Sequence, residues 1–291
     1  MQVFVTKRWS GALLALGLAN PALGAAADRF ADVKVTSQPV SGSVHMLMGA
    51  GGNIAASVGA DGTLIVDDQF APLSGRIQQA LNKLGGGRPK LVLNTHFHGD
   101  HTGGNSAFGE GGTIVAQANV RVRLLDGDGI PRQALPTVTF TDRAQVHFND
   151  DDIDLIHLPN GHTDGDAAVW FRNANVIHLG DHLFNGSYPY IDVSSGGSIA
   201  GFVKNLSTVL DMVPSDIKVI PGHGALGDRE TIRTARDLVR ESTVLIMRET
   251  EAGTSDADIV AALNESYPSA GQGFINAERW LSIVRTSTPE G

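Results

Sequence analysis

The 291-residue chain contains no cysteine. This excludes disulfides, thiolate metal ligands and a cysteine nucleophile, so any metal ligands must be His, Asp or Glu. A chain without thiols suits an oxidising compartment, although it carries no disulfide that would mark one. Basic residues are also scarce, with 22 Lys and Arg against 31 Asp and Glu and a net charge of −9. Nucleic-acid binding is driven by clustered Lys and Arg, so this balance argues against such a partner. A membrane-length apolar run is missing too. The apolar, small-residue run from Trp9 to Ala19 is shorter than the roughly 20 residues needed to span a bilayer. It follows Lys7 and Arg8 and leads into Pro21-Ala22-Leu23-Gly24-Ala25-Ala26-Ala27. That order reads as a secretory signal peptide over residues 1–26, with an N-terminal anchor as the alternative. The expected product begins between Ala25 and Asp28, is periplasmic or secreted, and has no stable membrane association after cleavage. No linker-like stretch or short-period repeat interrupts residues 27–291, which is compatible with one large domain.

What is present begins with short strands. Ser43 to Met48, Asn53 to Val58 and Thr63 to Val66 are separated by Gly49-Ala50-Gly51-Gly52 and Asp61-Gly62, as expected of strands and turns. Pro72 to Leu84 has helical spacing, with Pro at its start and three glycines after it. Lys90 to Asn94 reads as a buried strand. Further strands are expected at Thr113–Ala116, Ile153–Leu158, Ala167–Phe171, Asn175–Leu179 and Lys218–Ile220. A helix is expected from Ile199 to Met212, and a mainly helical tail from Arg229 onward. Two packed sheets with helices outside fit this order, within an α/β or α+β class.

The strongest chemical signal is His96-Phe97-His98-Gly99-Asp100-His101, immediately after a buried strand. His96 and His98, two apart, point to the same side of an extended backbone and can reach one metal. Asp100 and His101 turn into the next helix and can face a second. Imidazoles with a carboxylate suit Zn²⁺, and Fe or Mn can also occupy such a site. Three later segments repeat the pattern of an apolar strand and a turn bearing a ligand-type residue: Gly161-His162-Thr163, Gly180-Asp181 and Pro221-Gly222-His223-Gly224. Each is weak alone, since a single His after a strand is more often packed or exposed than a ligand.

Taken in order, these segments resemble the metallo-β-lactamase superfamily. The resemblance covers nearly all of the chain beyond the leader and implies a four-layer αββα sandwich with metals at one edge between the sheets. It implies two Zn²⁺ per chain, the first held by His96, His98 and His162. Asp100, His101 and His223 would hold the second, and Asp181 would bridge the two. Asp67 either orients a ligand imidazole from behind or caps a turn with Asp68. His178 and His182 flank Asp181 without being counted as ligands.

The implied reaction is hydrolysis by a water deprotonated between two ions, with Asp100 orienting it. Asp181 stands where many β-lactamases carry Cys, and a bridging Asp resembles glyoxalase II thioesterases and acyl-homoserine lactonases. Phe184 and Asn185 stand where a carboxylate-gripping lysine would be. No basic cluster for glutathione is evident near the end of the chain. The working expectation is a small-molecule hydrolase opening a cyclic amide such as a β-lactam. An exported lactonase, esterase or thioesterase is the alternative, and an iron-dependent sulfur dioxygenase is a third reading. Tyr188, Tyr190 and Asn185 are candidate pocket residues, and either tyrosine could donate to an oxyanion or simply pack. Gly49–Gly52 could be a mobile flap or a hairpin turn. The Phe274–Val284 helix, with Trp280 and Leu281, could pack on its own chain or on a partner.

Overall fold

A computed structural model describes residues 30–127 and 129–287. The expected leader, residues 1–26, lies outside them. Residues Val33–Gly291 form one unit, built around two sheets.

The first sheet has seven strands in chain order: β1 (Thr36–Ser41), β2 (Val44–Met48), β3 (Ile54–Gly59), β4 (Gly62–Val66), β5 (Pro89–Asn94), β6 (Thr113–Gln117) and β7 (Val138–Phe140). Pairing is antiparallel from β1 to β4 and parallel from β4 to β7. The second sheet contains β8 (Arg143–Phe148), β9 (Asp151–His157), β10 (Ala167–Phe171), β11 (Val176–His178), β12 (Lys218–Ile220) and β13 (Gly227–Asp228). All its pairs are antiparallel except β11 with β12. The parallel pairs require crossovers, which carry the helices. These are α1 (Ser74–Lys83), α2 (Gly99–Thr102), α3 (Asn105–Phe108), α4 (Ala118–Asp126) and α5 (Ile199–Met212), and three C-terminal helices follow: α6 (Arg229–Glu251), α7 (Asp256–Ser266) and α8 (Ala277–Ser287). Among the described residues no helix is long and apolar enough to cross a membrane.

Strand alternation sorts side chains between the layers. Met46, Leu64, Val66, Leu93 and Val115 from the first sheet meet Ile153, Leu155, Val169 and Phe171 from the second in the inter-sheet core. The opposite face of the second sheet, through Ile156, Trp170, Ile177 and Val219, packs under Phe202, Leu206 and Val209 of α5 and Val239 of α6. On α1, Ile77, Ala80 and Leu81 form the buried stripe. The αββα sandwich expected from the resemblance is the architecture observed.

The tail packs on its own chain. Trp280 is fully buried, stacks on Tyr188 with ring centroids 5.4 Å apart, and donates its Nε1–H to Ser242 Oγ at 2.9 Å. Strands β1, β7 and β8 and helix α4 were not expected. β1 and β7 are sheet edges, β8 is half exposed, and β1 carries Pro39, so their apolar patterning is weak.

Trp280→Ala is expected to lower unfolding stability by about 3–5 kcal/mol, because it opens a large cavity and orphans the Ser242 contact. Trp280→Phe, which retains the ring stack, should cost less. Denaturant unfolding of the two variants checks the order.

Candidate functional site

Every candidate ligand sits at the same edge of the sandwich. The loop after β5 supplies His96 to His101, and the loop after β9 supplies His162. Asp181 follows β11 and His223 follows β12. Two clamps hold the sheets in register there. The Ala167 N–H donates to the Thr95 carbonyl at 2.7 Å, across the two sheets. Asn53, in the loop between β2 and β3, donates through Nδ2 to the carbonyls of Pro221 and Gly224, each at 2.9 Å. It also receives the Nε2–H of His178 on its own carbonyl at 2.9 Å.

Four groups converge as one set, His96, His98, His162 and Asp181, and three as a second, Asp100, His101 and His223. Asp181 lies between them. Its Oδ2 is 3.5 Å from His162 Nε2 and 3.8 Å from His96 Nε2. Its Oδ1 is 3.0 Å from His101 Nε2 and 3.3 Å from His223 Nε2. One oxygen thus faces each set. Gly222 permits this approach, because a Cβ there would overlap Asp181 Oδ1.

The imidazoles are oriented from behind. Asp67, fully buried and at φ 63°, accepts the Nδ1–H of His101 on Oδ2 at 2.7 Å. The same oxygen accepts the Thr95 hydroxyl at 2.7 Å, and Oδ1 accepts the Thr95 N–H at 2.8 Å. The Thr95 oxygen, its proton committed, faces His96 Nδ1 at 3.0 Å and accepts its N–H. One carboxylate therefore orients an imidazole in each set and leaves both Nε2 atoms aimed inward. Of the two readings of Asp67, the geometry is that of the orienting group. Asp68 makes a separate bond, accepting the Gly104 N–H at 2.8 Å ahead of α3. His162 donates Nδ1–H to the Tyr190 carbonyl at 2.8 Å, and His98 Nε2 lies 3.2 Å from Asp192 Oδ2. Thr95, Asn53 and Asp192 were not singled out from sequence. Only the placement of Thr95 beside His96 hinted at a role.

Charge is distributed unevenly. Burial pushes His96 well below the ordinary imidazole range, and pushes His162 down to about 4. Burial also opposes charge on His101 and His223, but neighbouring carboxylates outweigh it. Asp181 and Asp67 hold His101 well above the ordinary value, and Asp181 and Asp100 raise His223 to about 9. Asp181 stays well below the carboxylate range, because His101 and His223 overcome the effect of its burial. Asp192 falls to about 2 despite burial, through bonds from Ser194, Ser195 and His98.

These observations fit a metal centre. His96 Nε2, His101 Nε2 and Asp181 Oδ1 are buried without a hydrogen-bond partner, which is costly unless a cation or proton meets them. His162 Nε2 and His98 Nδ1 face each other at 2.9 Å. With their other nitrogens committed as donors, two lone pairs meet there, an arrangement that a cation between them would resolve.

The sets open onto a cleft of about 710 Å³ walled by Phe70, Phe184, Tyr190 and Phe274, with Asp100 at its floor. Tyr190 is the candidate pocket residue that reaches this cleft. Tyr188 instead lies in the core against Trp280, and burial raises its pKa. Asn185 is turned away, donating Nδ2–H to the Ala225 carbonyl at 2.8 Å. Both depart from the pocket role expected of them, because the irregular segment after β11 turns Phe184, Ser187 and Tyr190 to the cleft, Tyr188 into the core and Asn185 toward Ala225. The Gly49–Gly52 turn packs on the centre: the Gly52 N–H donates to the Asp100 carbonyl at 3.1 Å, and a Cβ at Gly52 would overlap the His101 ring.

Asp67→Asn is expected to weaken metal binding about 10–100-fold, since the amide NH2 that replaces one carboxylate oxygen is a donor and must face the Thr95 N–H on one side or the His101 and Thr95 protons on the other. Asp192→Ala should weaken it about tenfold through His98 alone. Competition against a chromogenic chelator measures both, and unchanged affinity in Asp67→Asn would remove the orienting role.

Residues 58–240 match the Metallo-beta-lactamase superfamily. A type 2 metallo-beta-lactamase of Bacteroides fragilis is 27% identical over 146 residues, which are 50% of this chain and 57% of that protein. A hydroxyacylglutathione hydrolase of Methylococcus capsulatus is 34% identical over 128 residues, 43% of this chain and 44% of that one. The chain thus spans about half the length of these curated relatives. A solved metallo-beta-lactamase from Pontibacter korlensis superposes with a TM-score of 0.63 at 15% identity, covering 71% of this chain and 99% of that one, a likeness of fold alone. With the matched segment covering more than half of the sequence, the chain belongs to the metallo-beta-lactamase superfamily.

Proposed function

We propose that the protein is an exported, dinuclear metal hydrolase that cleaves a neutral acyl bond, a lactone or ester in the first instance. The observation that carries this reading is the pair of converging donor sets sharing Asp181 at the floor of an aromatic cleft. His96, His98 and His162 would hold one ion and Asp100, His101 and His223 the other, with Asp181 between. Nitrogen and carboxylate donors without sulfur suit zinc, and also iron or manganese. When bound, such a pair supplies Lewis acidity and lowers the pKa of a water to about 7.

The chain's own groups do the rest. Asp100 is only partly buried, lines the cleft, and has its Oδ2 3.4 Å from His223 Nε2. That oxygen is placed to orient the attacking water and to carry its proton towards the leaving group. Phe70, Phe184, Tyr190 and Phe274 give the reacting carbonyl an apolar surround, and a bound substrate covering Phe274 would displace water from it. The choice of substrate follows from charge. No Lys or Arg is among the described residues lining the cleft, so nothing in its wall grips a carboxylate. Arg279 lies over the Phe274 ring at 4.4 Å and is not part of that wall. This favours a lactone or ester over a β-lactam. The β-lactam reading retains support from the similarity to the Bacteroides fragilis enzyme.

The test compares initial rates of zinc-loaded protein on a phenyl ester, a γ-lactone and a chromogenic cephalosporin, with chelated protein and Asp100→Ala as controls. Ester or lactone turnover at least tenfold above the cephalosporin, lowered about 10²–10⁴-fold by Asp100→Ala, is the expected result. Cephalosporin turnover alone would reinstate the β-lactam reading. No turnover from protein shown to hold two metal equivalents would end the hydrolase reading. One tightly held iron with oxygen consumption on a persulfide would establish the dioxygenase.

A further inference from the structure

Beside the cleft lies a second cavity of about 350 Å³ that the reaction above does not use. His98 and Gly99 belong to the walls of both cavities, so the two adjoin across the ligand loop. The far walls are mostly apolar and include Phe97, Leu124, Ile130, Pro131 and Ala134. Phe97 is the residue between the first two histidines of the motif. Its ring leans on His98 with centroids 4.6 Å apart, and it packs against the buried cluster of Ala116, Val120, Leu124 and Leu135. Phe97 therefore ties the position of a candidate ligand to the shape of this cavity.

Among the described residues that line the cavity one side chain carries a permanent charge, and that charge is committed. Arg123 donates Nε–H and Nη2–H to the two oxygens of Asp164 at 3.2 and 2.8 Å. A paired guanidinium at the wall does not call for an anion. Thr102 is committed as well, its hydroxyl pointing to the carbonyls of Phe97 and His98. Apart from His98 and Ser106, what remains among the described lining residues is apolar surface or glycine, open to a chain that carries no charge.

Resting on the acyl-hydrolase reading, we propose that this side cavity is an acyl-chain subsite. The reacting carbonyl lies at Asp100 and Asp181, and a linear, unbranched acyl arm passes over Gly99 into the space between Phe97, Leu124 and Ile130. At roughly 30 Å³ for a water-sized group, the volume accommodates on the order of ten methylenes. The substrate class is thus a neutral ester or lactone with a medium-length alkyl arm. An acetyl-sized substrate would leave the cavity unused.

The test uses the full zinc-loaded chain and p-nitrophenyl esters from acetate to dodecanoate. In parallel, linear alcohols from butanol to decanol are titrated calorimetrically, a readout independent of turnover. Both kcat/KM and alcohol affinity should rise about two- to fourfold per methylene up to roughly ten carbons, as expected for progressive apolar burial. Ile130→Asp and Ser106→Phe, at two separate walls, should each collapse the ratio of decanoyl to acetyl kcat/KM. Ile130 is exposed at the cavity mouth, so its substitution leaves a folded protein to measure should Ser106→Phe fail to fold. A flat chain-length series would overturn the proposal, as would a rise untouched by Ile130→Asp. Length-dependent alcohol binding abolished by Ile130→Asp, with no ester turned over, would support the apolar subsite while striking down the ester-hydrolase reading on which the substrate class rests.

Discussion

The Asp67 carboxylate is the constraint on which the site depends. It is fully buried and sits on a residue in the left-handed backbone region, a strained placement that persists only where the surroundings over-determine it. Thr95 N–H, Thr95 hydroxyl and His101 Nδ1–H all converge on it. Through Thr95 it also sets His96. An imidazole turned by one rotamer step would present carbon in place of nitrogen, so donor geometry rests on a group that touches no substrate. The buried charge is costly on its own and becomes tolerable because three donors share it.

The rest of the architecture keeps that group and its partners at one edge. The sandwich places the ends of β4, β5, β9, β11 and β12 together, and short clamps prevent their loops from drifting. Asn53 bonds to the loop bearing His223, and the β2–β3 turn presses on Asp100 and His101 with no side chain between. Gly52 and Gly222 are thus spacing elements, since each gives up a Cβ so that a donor can occupy that volume. The aromatic walls come from three separate loops, Phe184 and Tyr190 sharing the connection between β11 and α5, and meet only in the folded protein.

The donor residues were legible because each of the four donor segments follows an apolar strand and contains glycine, a pattern local enough to read one segment at a time. The central strands and α5 were legible for the same reason. Asp192 was not, because its partner His98 lies far along the chain and nothing near Asp192 announces the bond. Phe274 offers a similar case: it sits in the tail, yet its ring meets Tyr190 edge-on with centroids 6.5 Å apart across the cleft. Tyr188 and Asn185 lay in the right segment but on the wrong side of it. A turn without regular period does not reveal which side chains face inward. The cleft's shape is a property of long-range packing, and the donor set is a property of local order.

The two-faced placement of Asp181 bears on how the protein acquires its centre. The groups around that carboxylate are spread from residue 96 to residue 223 and come from both sheets. No hairpin or single sheet brings them together, so the loops between them must close first, at an entropic cost the late contacts repay. An ion held there would therefore need both sheets in place, and it would act on the whole molecule as a ligand of the native state alone. In kinetic terms the cation would act as a latch, slowing the separation of the two sheets by resisting the escape of either.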